Sequence, residues 1–324
     1  MKWPSLFCLG IAYICSSSAL AQSDLVLLLN PNPNEDKVIF RTRSNIIGEA
    51  DDRAKGDDFR QFEQNLSLRY ALIQNEDREL YFTLDSHLVD LDTTGVFDET
   101  GEPVPGGLYN VGVGALYRQT VHEDWRVGGQ LRVGSASDEL FNSIDEMYLQ
   151  GFAFLQVPHL EHTSWIAVLA VNTNLQFPVI PGFGYAFPLS EQALAVVGFP
   201  FLGAAGQLTD KLGFQMVYWP LRNADVSLNY QVTERIRPYT GFRWRGLYFS
   251  RADRADSDDR ILLEDKRFFG GAVFDLTDKI ALDLQAGYLF DRQLGEGDDF
   301  SDRNDNNFRI DSTWYTSLEL NVQF

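Results

Sequence analysis

Cysteine is nearly absent from this chain of 324 residues: there are two, Cys8 and Cys15. Both fall within the first 21 residues. There Lys2 gives a short positive start, Leu6 to Ile14 an apolar core, and Ala19-Leu20-Ala21 the small residues of a cleavage site before Gln22. This is the three-part layout of a secretory signal peptide, with an apolar core too short to serve as an anchor. A lipoprotein signal would need small residues just before Cys15, where Tyr13-Ile14 stands. Once residues 1–21 are removed the chain has no cysteine, which excludes a disulfide framework and thiolate chemistry. Basic residues are also scarce: 27 Lys+Arg face 46 Asp+Glu, a formal charge of −19 that becomes −20 when Lys2 is lost. Without a clustered basic surface, a nucleic-acid partner is excluded. No run approaches the ~20 apolar residues of a membrane-spanning helix. The four histidines, His87, His122, His159 and His162, have neither metal-ligand spacing nor a cysteine partner. No transition-metal site and no cofactor are expected.

Helical periodicity is scarce too, whereas alternation at period 2 recurs almost to the last residue. Ile310, Ser312, Trp314, Thr316, Leu318, Leu320, Val322 and Phe324 fall on one face of the final segment, with Asp311, Thr313, Tyr315, Ser317, Glu319, Asn321 and Gln323 on the other. Leu80, Phe82, Leu84 and Leu88 alternate with Thr83, Asp85 and His87, and Leu282, Leu284, Ala286 and Tyr288 with Asp283 and Gln285. Such segments form strands with one apolar and one polar face. Their connections sort into two kinds. Short polar turns include Asn75-Glu76-Asp77-Arg78, Leu208-Thr209-Asp210-Lys211 and Leu276-Thr277-Asp278-Lys279. Long acidic stretches run from Asp92 to Gly107, Arg251 to Asp265 and Gly295 to Asn307. Counting between these markers gives sixteen segments, the first at 38–47 and the last three at 266–276, 280–292 and 309–324. Weak Gly-rich pieces between Gly182 and Leu208 leave twelve or fourteen compatible with the pattern.

Short turns on one side and long loops on the other are the habit of membrane barrels, where a sheet must close on itself because hydrocarbon cannot satisfy backbone groups. The expected fold is all-β: a closed antiparallel up-and-down transmembrane β-barrel over residues 38–324, preceded by a short periplasmic leader at 22–37. Trp125, Trp165 and Trp219 suit the aromatic girdles of its two interfaces. The C-terminal sequence Leu318-Glu319-Leu320-Asn321-Val322-Gln323-Phe324 resembles the end of a bacterial outer-membrane β-barrel. The resemblance implies an outer-membrane location in a Gram-negative envelope, with Leu320, Val322 and Phe324 as the signal read by the barrel-assembly machinery, and outer-membrane lipid and lipopolysaccharide as surroundings. Val322 stands where an aromatic residue would strengthen that signal. Pro181-Gly182-Phe183-Gly184-Tyr185 followed by Val197-Gly198-Phe199-Pro200 is similar to members of an uncharacterised barrel family, which brings no assigned activity.

His162-Thr163-Ser164 has the His-x-Ser spacing of outer-membrane phospholipases, with Asn172 or Asn174 as a third member, but it sits in a tight periplasmic turn, the wrong end for such a site. No catalytic residue is assigned. Asp253, Asp256, Asp258 and Asp259, and Asp298, Asp299, Asp302 and Asp305, form acidic loops without the glycine and distal glutamate of a calcium loop, and read as hydrated surface. The lumen is the more informative region. With Phe242, Trp244 and Tyr248 toward lipid, Arg243 and Arg245 point inward, as do Arg41, Arg43, Arg126 and Arg132; Glu63, Asp85, Asp283 and Glu319 are the acids to face them. Paired, these make a plug; hydrated, they make a selective pore. The expected activity is porin-like passive passage of small solutes. A structural or surface-interaction barrel closed by ion pairs is the alternative, and a lipid-modifying enzyme or apolar-ligand transporter is further off.

Overall fold

The computed structural model describes residues 36–51, 58–122, 124–175, 177–219, 223–252, 258–298 and 300–324. The signal peptide, the leader up to residue 35, and Asp253, Asp256 and Asp299 of the acidic loops lie outside them. The strands are β1 (Val38–Asp51), β2 (Asp58–Gln74), β3 (Arg78–Thr93), β4 (Gly107–Thr120), β5 (Arg126–Ser137), β6 (Met147–Pro158), β7 (Ser164–Asn172), β8 (Val179–Ser190) and β9 (Ala193–Phe199). They continue as β10 (Leu202–Gln207), β11 (Leu212–Trp219), β12 (Asn223–Tyr230), β13 (Ile236–Phe249), β14 (Arg260–Asp275), β15 (Ile280–Gly297), β16 (Asn307–Ile310) and β17 (Thr313–Gln323). A one-and-a-half-turn helix, α1 (Phe300–Asp305), precedes β16. Successive strands pair antiparallel, and β17 returns to β1 with Ile39 opposite Gln323 and Ile47 opposite Tyr315. The sheet therefore closes. β16 and β17 both pair with β15 and are two parts of one interrupted stave, so the barrel has sixteen staves.

Alternation decides which way each side chain points. On β3, Tyr81, Thr83, Asp85, His87, Val89 and Leu91 are buried, whereas Phe82 is exposed. Leu72, Leu131, Val133, Leu169, Phe183, Phe268, Leu284, Leu318 and Trp314 likewise stand exposed on the outer face. An apolar outer surface on a closed sheet is one that faces lipid, and the chain is a transmembrane barrel of the bacterial outer-membrane kind. No helix among the described residues is long and apolar enough to cross a membrane. The short turns gather at the end that holds Val38 and Phe324, which by the barrel rule is the periplasmic end.

Three expectations from the sequence need correction. Residues 260–265 and 295–297, read as loop, are strand: β14 starts at Arg260 and β15 runs to Gly297. Ile261, Leu263, Asp265 and Arg267 keep the period, but the acidic residues around them look like loop. Second, Ile310 does not share the lipid face of Trp314. A bulge on β15, where Asp291 adopts φ 50°, is matched by the break between β16 and β17, and Phe308 and Ile310 turn inward. Asp tolerates this left-handed conformation better than most residues. Third, Trp219 is not part of a girdle; it stacks on Phe201 at 5.8 Å on the inward side.

Wall height is uneven. β2, β3, β14 and β15 have 17, 16, 16 and 18 residues, while β9, β10, β11 and β12 have 7, 6, 8 and 8. A tilted spanning strand needs about 9–11. One side of the barrel thus rises well beyond the bilayer and the other falls short of it.

Candidate functional site: a divided lumen

At the external end the tall wall folds across the mouth. Ser137, which ends β5, bridges in parallel to Ser250, just beyond β13; Ser250 N donates to Ala136 O at 2.7 Å and Ala252 N to Asp138 Oδ1 at 2.7 Å. β5 and β13 are not neighbours in the sheet, so this contact pinches the mouth and separates β1–β5 and β13–β17 from β6–β12. The interior of the tall half is filled there by an apolar core that includes Phe59, Val89, Leu91, Leu108, Phe249, Ile261, Leu294 and Phe308. The loop after β3 folds into this core and supplies Phe97 and Val104. Asp98 N donates to Asn307 O at 3.1 Å, and Asn306 Oδ1 accepts from Glu99 N at 3.2 Å and Thr100 N at 3.3 Å. Only glycine fits at position 95, where a Cβ would come within 2.2 Å of the Phe308 ring.

Beneath this cap lies an ion network centred on Arg245. Its guanidinium donates to both oxygens of Glu63, at 2.6 and 2.9 Å, and to Asp265 at 2.5 and 3.0 Å. Asp265 lies directly opposite Arg245 in the β13–β14 ladder, but Glu63 is on β2, so this pair reaches across the lumen. Arg267 holds Asp265 through two bonds of 2.8 Å, and Glu63 also accepts from Asn45 at 2.8 Å and Gln61 at 2.7 Å. Arg292 donates to Gln61 Oε1 at 3.0 Å, and His87 Nε2 stands 3.9 Å from Glu63. Glu63 is 0% exposed and Arg245 2%. Bidentate geometry of this kind is what makes buried charge tolerable, since the carboxylate oxygens and guanidinium protons are satisfied together.

Smaller groups extend the network toward the periplasmic end. Arg43 pairs with Glu319 at 2.6 Å and with Asp283 at 3.5 Å, and Asp283 accepts from Tyr239 Oη at 2.6 Å. Arg118 pairs with Glu79 at 3.0 Å, Arg243 with Asp225 at 2.6 Å, and Arg132 stands 3.8 Å from Asp85. Most of these are cross-strand neighbours by register: Arg43 opposite Glu319, Glu79 opposite Arg118, Asp225 opposite Arg243.

The low half is different. Phe152, Phe154, Ile166, Val168, Ala186 and Phe201, with Trp219 and Val196 against them, make an apolar cluster that also reaches Ala71, Tyr81 and Leu116 of the tall side. Beside it, the inward residues of β10 and β11 are Gly203, Ala205, Gln207, Gly213, Gln215 and Val217, small or neutral side chains, with Trp219 at the end of β11. All six residues of β10 are half-buried, on both faces of the strand.

Of the residues named from sequence, the structure joins Arg43 with Asp283 and Glu319, Arg245 with Glu63, and Arg132 with Asp85. Arg243 takes Asp225, which the sequence reading did not name, and Arg41 and Arg126 are half-buried. Leu320, Val322 and Phe324 lie along β17 and its end, with Phe324 bonded both ways to Val38. Asp265, Arg267, Arg292 and the Arg118–Glu79 pair were missed; for Asp265 and Arg267 the signal was the continued alternation from Ile261. His162 and Ser164 do not form a hydrolase pair: His162 sits in the turn at φ 66°, 3.6 Å from Glu161, and Ser164 Oγ accepts from Gln156 at 2.8 Å. Asn172 is at the other end of β7. Among the described acidic-loop residues, Arg303 is buried and donates to Gly297 O at 3.0 Å and Asp298 O at 2.7 Å. No cluster of three or more His, Cys, Asp or Glu among the described residues is placed to hold a metal ion.

No protein-family profile and no curated protein matches this sequence. Solved structures similar to it include an outer membrane channel from Pseudomonas putida F1, at 12% identity and a TM-score of 0.43 over 91% of this chain and 97% of that one. The toluene transporter TodX of P. putida is 10% identical, with a TM-score of 0.41 over 94% of each chain. The translocator domain of the autotransporter NalP from Neisseria meningitidis is 9% identical, with a TM-score of 0.35, again over 94% of each.

Proposed function

We propose that this barrel is a narrow passive channel for small solutes, with its path displaced to the low side, along the inward faces of β10 to β12. Accessibility carries this reading. The inward side chains of β3 and of most of β14 are sealed among cap and ion network, whereas Gly203, Ala205, Gln207 and Val217 remain partly accessible. Apart from Trp219 the lining is short-chained, and it is uncharged apart from Asp225, which Arg243 neutralises at 2.6 Å. A wall of this kind has little fixed charge to select between ions, in contrast to the charged rings of selective pores.

A single cysteine tests it, because the chain without residues 1–21 has none. Purified protein in a planar bilayer is expected to give conductance steps, and in Ala205→Cys these are expected to fall on adding a charged methanethiosulfonate from the aqueous phase. Absence of conductance, or steps that ignore the label at position 205, would sink the channel. A second reading, a structural barrel closed by its own ion pairs, is favoured by the Arg245–Glu63 bridge across the lumen. It predicts no conductance at all.

A further inference from the structure

We infer that the low wall is a side opening, through which small apolar molecules dissolved in the outer leaflet enter the low half of the lumen. The inference rests on the channel reading and names its substrate class. It starts from strand length. At about 3.3 Å per residue and a tilt of about 45°, strands of six to eight residues rise roughly 14–19 Å, against an apolar band of about 25 Å on such barrels. The upper edge of β9 and β10 therefore stands within the hydrocarbon, not among the headgroups.

The chemistry of that edge fits the depth. β9 and β10 are joined by Pro200-Phe201 alone, and proline has no N–H to leave unsatisfied in lipid. Val197 and Phe199 point outward, 58% and 70% exposed. Phe201, the next residue but one, is 5% exposed and turned inward, where it stacks on Trp219 and joins Phe152, Phe154 and Val168. Apolar surface thus runs from the lipid side over the edge and into the lumen without a charged or hydrogen-bonding side chain on the way. On the opposite side, the β5–β13 contact and the apolar cap close the mouth to water above the ion network. An apolar molecule then meets its lowest barrier from the side. The ring-lined cluster and the absence of charge on this route select neutral apolar molecules over ionic ones.

The test uses the full chain in lipid vesicles and a photoactivatable trifluoromethyl-diazirine benzene dissolved in the bilayer, with labelled positions read by peptide mass spectrometry. Trp219 and Val217, which point inward, are expected to be labelled along with the outward Leu169 and Phe183, while Ile261 and Leu263 of the capped half stay unlabelled. Replacing the edge with charge, Phe199→Asp with Leu202→Asp, is expected to cut labelling of Trp219 and Val217 at least tenfold and leave that of Leu169 unchanged. No inward labelling in the unaltered protein overturns the side opening, and this measurement needs no variant to fold. Equal inward labelling after the edge is charged, in protein that keeps its heat-shifted gel mobility, overturns it as well. Conductance recorded on the same preparation separates the two ideas. Steps without inward labelling leave the axial channel standing and overturn the side opening, whereas inward labelling without steps overturns the channel and leaves the side opening standing.

Discussion

The tall and the low sides of this barrel use the same alternation to opposite ends. On the tall side, strands of 16 to 18 residues leave the bilayer behind, and their inward faces carry a hydrophobic core that would suit a water-soluble protein. Below that core, inside the bilayer, charged pairs fill the lumen. On the low side, strands of six to eight residues end within the bilayer and carry glycine, alanine, valine and glutamine inward. Strand length thus does more than set height. Residues beyond the membrane have no lipid to face and an interior to fill, so they build a cap, and short strands have no such residues to contribute.

The largest break in this contrast is expected from Glu63→Ala. It removes the carboxylate that reaches Arg245 from across the lumen and leaves the guanidinium with Asp265 alone, a loss on the order of 3–5 kcal/mol for a buried pair. Denaturant unfolding in vesicles measures it; a change under 1 kcal/mol would mean that water already solvates the network. Next comes Phe97→Ala, which empties part of the cap at about 3 kcal/mol. Its conductance is expected to match that of the unaltered protein, and a large rise in conductance would place the solute path under the cap instead of along the low wall. Asn306→Ala loses the acceptor for Glu99 N and Thr100 N and is expected to cost about 1 kcal/mol. Faster proteolysis within residues 94–106 reports this release, and an unchanged cleavage rate would show that Phe97 holds the loop unaided. Smallest is Gln207→Ala on the low side, within about 0.5 kcal/mol because that position is only half-buried. If it destabilises as much as Phe97→Ala, the two sides are not packed differently.

Much of this was legible from residue order alone. Period-2 alternation gave sixteen staves because every strand has one lipid face, and the short polar turns marked one end. Legibility failed where the outer face stops meeting lipid. At Arg260 to Asp265 the inward phase of Ile261, Leu263 and Asp265 continues, but charged residues crowd around it and Leu262 on the other face is buried as well, so the segment reads as loop although the strand goes on. At Asp291 and at Asp311-Ser312 the period slips by one, which no pattern of fixed phase follows. The inward direction of Arg43, Arg243 and Arg245 follows from alternation, but their partners depend on register and on which staves face each other across the lumen. That is why the pairing of Asp225 with Arg243 and of Asp265 with Arg245 emerges only with the fold. Trp219 misled for a related reason: a tryptophan at a strand end suits a girdle, unless the wall there is too short to reach the interface.

The pairing of the first strand with the last has a consequence for how the molecule forms. Val38 N donates to Phe324 O at 3.1 Å and Phe324 N to Val38 O at 2.9 Å, so the seam joins residues almost the whole described chain apart. Sequence separation of this size slows folding, because the entropy of closing the loop is lost before the contact is made. Until the seam forms, β1 and β17 are both unpaired edges, each open to the wrong strand. The seam cannot form until Phe324 has been synthesised. Closure is therefore a late event, and a chain waiting for it needs its two edges covered by something other than itself.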